Sequence, residues 1–273
     1  MRAVVFSIKQ TGVPLGAAAA GIAIPVLLLW TDWRHAVLTL ALASIATVLF
    51  TAPFRARYDR ERRRDVRLRF RNIAAPIVEV CANRPVLALA VTSGVYSSVQ
   101  TSFITYLVSY LKLGLGYTLV SAGFVFAMAQ LAGVLGRIAW GAVADRFLAP
   151  RPLLALLGFL MSACAATAVL FNSGWPAELV LAVCVLYGAT AVGWNGVYLS
   201  EIARLAPEGR IAILTGGTQF FTFTGGLFGP PVFGIIASSS GSYGTGFVLF
   251  AVLPLLNALW LLLPDRHAAR SAT

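Results

Sequence analysis

The sequence is a series of apolar runs, and each is long enough to cross a bilayer as a helix, which takes about 20 residues. Two of them, residues 118–135 and 153–171, contain no charged side chain at all. Strands of a transmembrane barrel alternate apolar and polar residues over about 10 positions, and these runs do not alternate. The fold class that follows is all-α, a polytopic membrane helix bundle. Charge supports it: 11% of the residues are charged, against roughly 25% in a soluble domain. A surface made of this chain needs lipid as its solvent. Eight spans are expected, over residues 4–30, 35–52, 85–111, 117–140, 152–171, 177–201, 210–238 and 243–263.

The net charge is +11, but the basic residues lie between the apolar runs. That is the pattern of membrane edges and excludes a nucleic-acid partner. With the N-terminus inside, only Arg34 and Lys112 of the 21 basic residues fall outside. Lys and Arg are retained on the cytoplasmic face, so both termini and the basic stretch FRARYDRERRRDVRLRFRN are expected there. The segment IAAPIVEVCANRP after it reads as a short amphipathic helix on the membrane. The expected location is an integral protein of the cell inner or plasma membrane.

Candidate sites are sparse. All ten acidic residues sit near span ends or in loops, so no mid-membrane carboxylate stands ready to carry a proton. Cys81, Cys164 and Cys184 are isolated and lack metal-ligand spacing. No nucleophile and base stand at catalytic spacing, so an enzyme is not expected, nor is a cofactor or a metal site. Uncharged polar residues say more. Ser93, Tyr96, Ser97, Gln100 and Thr101 recur at helical spacing in the third span, and Tyr187, Thr190, Trp194, Asn195 and Tyr198 do so in the sixth. Each set lines one helix face. Gln130 and Gln219 sit inside the fourth and seventh spans. Lys9 and Gln10, at the bilayer edge of the first, are positioned to attract an anion or to snorkel to headgroups.

One stretch, GRIAWGAVADRF at residues 136–147, gathers Arg137, Asp145 and Arg146 at what reads as a short break between spans. Its Gly141-x-x-x-Asp145-Arg146 resembles the cytoplasmic loop signature of the major facilitator superfamily. GWNGVYLSEIARLAPEGR resembles that family's loop between helices ten and eleven, and SIKQTGVPLGAAAAGIAIP resembles its helix five. The chain also echoes itself: Arg2 to Gln10 at the first span matches Arg210 to Gln219 at the seventh within one residue, as in transporters built from repeats. FLAPRP follows Asp145-Arg146 where the family has G-R-R.

The resemblance implies twelve helices, of which this chain lacks the first four. Residues 1–53 then correspond to the last two helices of the N-terminal half. Residues 54–84 are the basic central loop, 85–264 the six-helix C-terminal half and 265–273 a cytoplasmic tail. The family's cavity is lined by the first and fourth helices of that half, which are the third and sixth spans here. Tyr96, Gln100 and Asn195 become the leading substrate-binding candidates, with Gln130, Trp194, Gln219, Lys9 and Gln10 behind them. Gly141, Asp145, Arg146 and Arg137 become a conformational-switch loop, with Asp145 expected beside residues 1–10. The implied function is transport of a small organic solute, an organic anion among the options, by alternating access. The alternative is a truncated, non-transporting membrane protein or scaffold. The sequence names no coupling ion.

Overall fold

The computed structural model describes Ile8 and residues 10–54 and 74–263. The α-helices among them are α1 Gly12–Leu27, α2 Trp33–Thr51, α3 Ala74–Ala82, α4 Arg84–Ser109, α5 Leu119–Arg146, α6 Pro150–Val169, α7 Ala177–Ala191, α8 Asn195–Leu205, α9 Ile211–Ser240 and α10 Tyr243–Leu262. A 3-10 turn, Ala52–Phe54, follows α2, and a π turn, Tyr110–Gly114, extends α4. No strand occurs among the described residues. The all-α membrane bundle expected from the apolar runs is therefore what the chain forms.

Six stretches are long and apolar enough to cross a membrane: α2 with its 3-10 turn, α5, α6, α7 with α8, α9, and α10. The pair α3 and α4, bent by 113° where they meet, makes a seventh when the two are counted as one broken span. The short helix expected after the basic loop is thus α3, and it packs along α9. The described part of α1 is 16 residues long. The basic loop's residues 55–73 and the tail from residue 264 lie outside the described residues.

Polar residues at the breaks start the helices. The Asn83 side chain accepts from the Val86 amide at 3.3 Å and caps α4, with Pro85 in its first turn. Thr118 accepts from the Ser121 amide at 3.1 Å and caps α5. Asp32 caps α2 by accepting from the His35 amide at 3.0 Å. That amide, with the His35 ring beside it, holds the Asp32 carboxyl below the usual carboxylate range. Each cap satisfies an amide that the first helical turn leaves without a partner.

The principal packing pairs are α4 with α9, α6 with α10, α5 with α7, and α1 with α5. The second span, α2, behaves differently. It buries only Ala36, and Phe50 on it is 75% exposed. Its apolar side chains need lipid or other protein around them on every face.

The sixth span is found as expected, one stretch over Ala177–Leu205 long enough to cross a membrane, with a turn at residues 192–194 between α7 and α8. One expectation is corrected here: GRIAWGAVADRF is not a break. All of it except Phe147 belongs to α5, because nothing in IAWGAVADR interrupts a helix.

Candidate functional site

The broken sixth span organises the site. Val192, Gly193 and Trp194 form a turn between α7 and α8. Carbonyls beside a break inside a membrane need protein partners, because lipid offers none. Helix α5 supplies them. Trp140 donates its indole Nε1–H to the Ala189 carbonyl at 2.9 Å, and Arg137 donates Nε–H to the Val192 carbonyl at 2.8 Å. The two side chains lie three residues apart, on one face of α5.

They reach the break because the two backbones nearly touch. A Cβ on Gly136 would strike the Ala189 carbonyl, and one on Gly188 would strike the Ala129 carbonyl. On Gly133 it would sit 2.7 Å from the Val192 side chain. Small residues are what allow such approach between membrane helices.

Arg137 is 2% exposed. It also donates from a terminal guanidinium nitrogen to the Gln10 carbonyl, tying the start of α1 to the break. Among the described residues its partners are these two carbonyls. It stands nine residues before the end of α5, so about 13 Å along the helix from it. The sequence expectation that it belongs to a cytoplasmic charge loop is therefore corrected: the arginine is buried in the bundle. Asp145 and Arg146 are exposed at the helix end, and Gly141 is buried between. Residues 1–7 and Lys9, against which Asp145 was expected, lie outside the described residues.

A polar group sits on the other side of the break. Gln100 of α4 accepts through Oε1 from Trp194 Nε1–H at 3.1 Å and from Asn195 Nδ2–H at 3.3 Å. Gln100 and Asn195 are half-buried, whereas Trp194 is fully buried. Tyr96 does not join them with its hydroxyl. It is 0% exposed and donates to the Leu154 carbonyl of α6 at 2.6 Å. Its ring instead meets Trp194 edge to face, with centroids 5.8 Å apart. Tyr96 thus holds the indole in place.

The remaining candidates scatter. Gln130 is buried in α5, and its Oε1 has no hydrogen-bond partner among the described residues. Gln219 is half-buried in α9, and Gln10 contributes its backbone carbonyl to Arg137. Of the polar stripe on the third span, Ser93 accepts from Thr222 of α9 at 2.8 Å, and Thr101 donates back to the Ser97 carbonyl of its own helix at 2.7 Å. Trp140 was missed from the sequence, as was the break itself. The only signal was Gly193 in mid-span beside Trp194 and Asn195.

The arrangement offers a buried guanidinium on one flank of the break and a fixed amide pair on the other. No cluster of His, Cys, Asp and Glu able to hold a metal ion occurs among the described residues.

Residues 1–229 match the family model described as Major Facilitator Superfamily. Similar curated proteins include Monocarboxylate transporter 13 of Rattus norvegicus, 30% identical over 54% of this chain and 34% of that protein. The Probable nitrate/nitrite transporter NarK2 of Mycobacterium tuberculosis is 30% identical over 85% of this chain and 57% of its own length. The Hexuronate transporter of Bacillus subtilis is 21% identical over 94% of this chain and 64% of its own. The chain thus spans from about a third to just under two thirds of the relatives it matches.

Proposed function

The chain belongs to the Major Facilitator Superfamily, and from that premise we propose that it forms part of a secondary transporter for a small organic anion, working by alternating access. One observation carries the reading. Arg137 is a buried cation whose described partners are carbonyl oxygens only. Carbonyls bear partial charge, so the guanidinium keeps an attraction for a full anion, and low local dielectric strengthens it. An ionisable residue held inside a membrane bundle at such cost marks a pathway. The relatives named for monocarboxylate, nitrate/nitrite and hexuronate support an anionic substrate.

Anions would reach Arg137 where it bridges Val192 and Gln10, once α1 and the break move apart. An arriving carboxylate would compete with those carbonyls for guanidinium N–H groups. Substrate arrival would then loosen the tie between α1 and the broken span, which is the motion alternating access requires. Both termini and residues 54–84 would face the cytoplasm. A cysteine replacing Ser240 should then label from outside, and one replacing Arg64 should not; the reverse pattern would overturn the orientation.

Titration calorimetry on the full chain in lipid nanodiscs tests the function. Acetate, hexanoate, nitrate and a hexuronate are the probes. We expect saturable binding of at least one, weakened tenfold or more, roughly the loss of one charge-assisted contact, by Arg137→Gln. Arg34→Gln, exposed at the opposite end, should leave it unchanged. Absence of anion binding would favour the non-transporting membrane protein instead. Binding indifferent to Arg137→Gln would remove the arginine from the site.

A further inference from the structure

The amide pair beside the break carries more than a place in the site. A tryptophan indole N–H can only donate. Since Trp194 Nε1 points at Gln100, the atom it meets must be the carbonyl oxygen Oε1. Asn195 presents its Nδ2 to that same oxygen. Both amides are therefore fixed in one orientation. A flip of Gln100 would set its N–H groups against the indole N–H and lose that bond. Trp194 itself cannot yield, being fully buried and braced by the Tyr96 ring, whose hydroxyl is anchored on Leu154.

This orientation decides what the pair shows to a ligand. Gln100 has both hydrogens of Nε2 left to donate, and Asn195 has Oδ1 left to accept. Neither atom is among the buried polar atoms without a partner, which are Ser102 Oγ, Gln130 Oε1, the hydroxyls of Tyr187 and Tyr198, and Asn257 Nδ2. Both residues are half-buried rather than sealed in the core. A donor and an acceptor thus stand side by side, on residues already within 3.3 Å of each other.

We propose that Gln100 and Asn195 select a substrate hydroxyl, so that the transported anions are hydroxylated carboxylates. The hydroxyl oxygen accepts from Gln100 Nε2–H while its hydrogen goes to Asn195 Oδ1. One hydroxyl satisfies both groups. A carboxylate does not, because it would set a second oxygen against Asn195 Oδ1. A hydrocarbon chain leaves both amides without partners, which is the stronger discrimination. The charged end of the molecule is then left to Arg137, across the break. This inference rests on the anion reading above and adds the specificity within it.

The test compares matched acids, long enough to reach from one flank of the break to the other, on the full chain in nanodiscs: 6-hydroxyhexanoate against hexanoate, and gluconate against hexanoate. The hydroxylated member of each pair should bind roughly tenfold more tightly, about the worth of one well-made hydrogen bond. Trp194→Phe keeps the ring against Tyr96 but frees the Gln100 amide to turn, and should reduce the preference to near unity. Gln100→Met removes the donor and should do the same. Arg34→Gln, exposed and outside the site, should leave both acid binding and the preference unchanged. Equal affinities in the natural chain, with binding still lost in Arg137→Gln, would overturn this proposal and leave the anion reading standing. A preference that survives both Trp194→Phe and Gln100→Met would overturn it equally. Absence of acid binding altogether would overturn both. Should either variant fail to fold, the natural chain's own preference and the other variant decide.

Discussion

Two of the helix contacts built on glycine in this bundle do opposite things. At α5–α7, Gly133, Gly136 and Gly188 bring the backbones together, and the α7 side is broken at Val192–Trp194. At α4–α9, Gly225 would place a Cβ against the Gly94 carbonyl, and Gly229 would place one 2.7 Å from the Ser98 backbone. Yet α9 runs unbroken from Ile211 to Ser240 even though it contains Pro230 and Pro231. The α4–α9 contact holds a hydroxyl pair, Thr222 with Ser93, and no ion pair among the described residues. The α5–α7 contact holds Arg137 and Trp140, both spent on carbonyls at the break. Close approach alone therefore does not make a working site. What separates the two is whether backbone groups at the contact need long donors from the facing helix.

The largest effect should come from closing either contact. Gly188→Ala and Gly225→Ala each put a methyl group against backbone, which cannot step aside as a flexible side chain would. Each should cost about 3 kcal/mol, the upper end for overpacking, read as thermal unfolding in lipid nanodiscs. The two should be similar, because the packing at both contacts is of one kind. A Gly188→Ala variant as stable as the natural chain would break the comparison, since α5 and α7 would not need to touch.

A smaller and more local effect separates them. Arg137→Met keeps length and packing but leaves the Val192 and Gln10 carbonyls without their donor. Each orphaned carbonyl costs about 1–3 kcal/mol. Some of that is recovered because a buried cation is removed with it. The net loss should be about 1–2 kcal/mol. It should be concentrated in faster amide hydrogen exchange over residues 189–196, with the α4–α9 segment unchanged. Exchange that rises uniformly, or does not rise, would show that the break stands without the arginine.

How much of this was legible in the sequence follows the same division. The spans were legible because apolar length is a direct demand of the bilayer. The break was not. VGWN contains no proline, and a single glycine is common inside membrane helices. Arg137 was misread for a sound physical reason, since charges in such chains normally sit at span ends. Nothing local says that α5 continues past Trp140 to Arg146 and carries the arginine inward. Polar periodicity located faces that turn inward but not their partners. Tyr96 and Gln100 are one turn apart, yet the first bonds to α6 and the second to the residues at the break. Which neighbour a face meets is a tertiary fact. Of the leading candidates, Gln100 and Asn195 came together directly, and Trp194, ranked behind them, proved to be what orients Gln100.

The finest test of the comparison lies in the α4–α9 contact. Thr222 Oγ1 donates to Ser93 Oγ at 2.8 Å, and Ser93 Oγ donates on to the Ala90 carbonyl of its own turn at 2.7 Å. Removing one partner leaves alternatives. Thr222 still lies 3.4 Å from the Thr218 carbonyl, so Ser93→Ala lets the hydroxyl fall back on its own helix. Thr222→Val leaves Ser93 bonded to Ala90. Each single change should therefore cost little. The coupling between them, measured by a double-mutant cycle in thermal unfolding, should be about 0.6 kcal/mol, the ordinary worth of a hydrogen bond between membrane helices. That value fits a contact that only holds helices together. A coupling well above about 1.7 kcal/mol, the top of the measured range, would mean that neither hydroxyl finds a local substitute. The α4–α9 contact would then depend on its polar groups as fully as the α5–α7 contact does, and the distinction between a packing seam and a working one would fail.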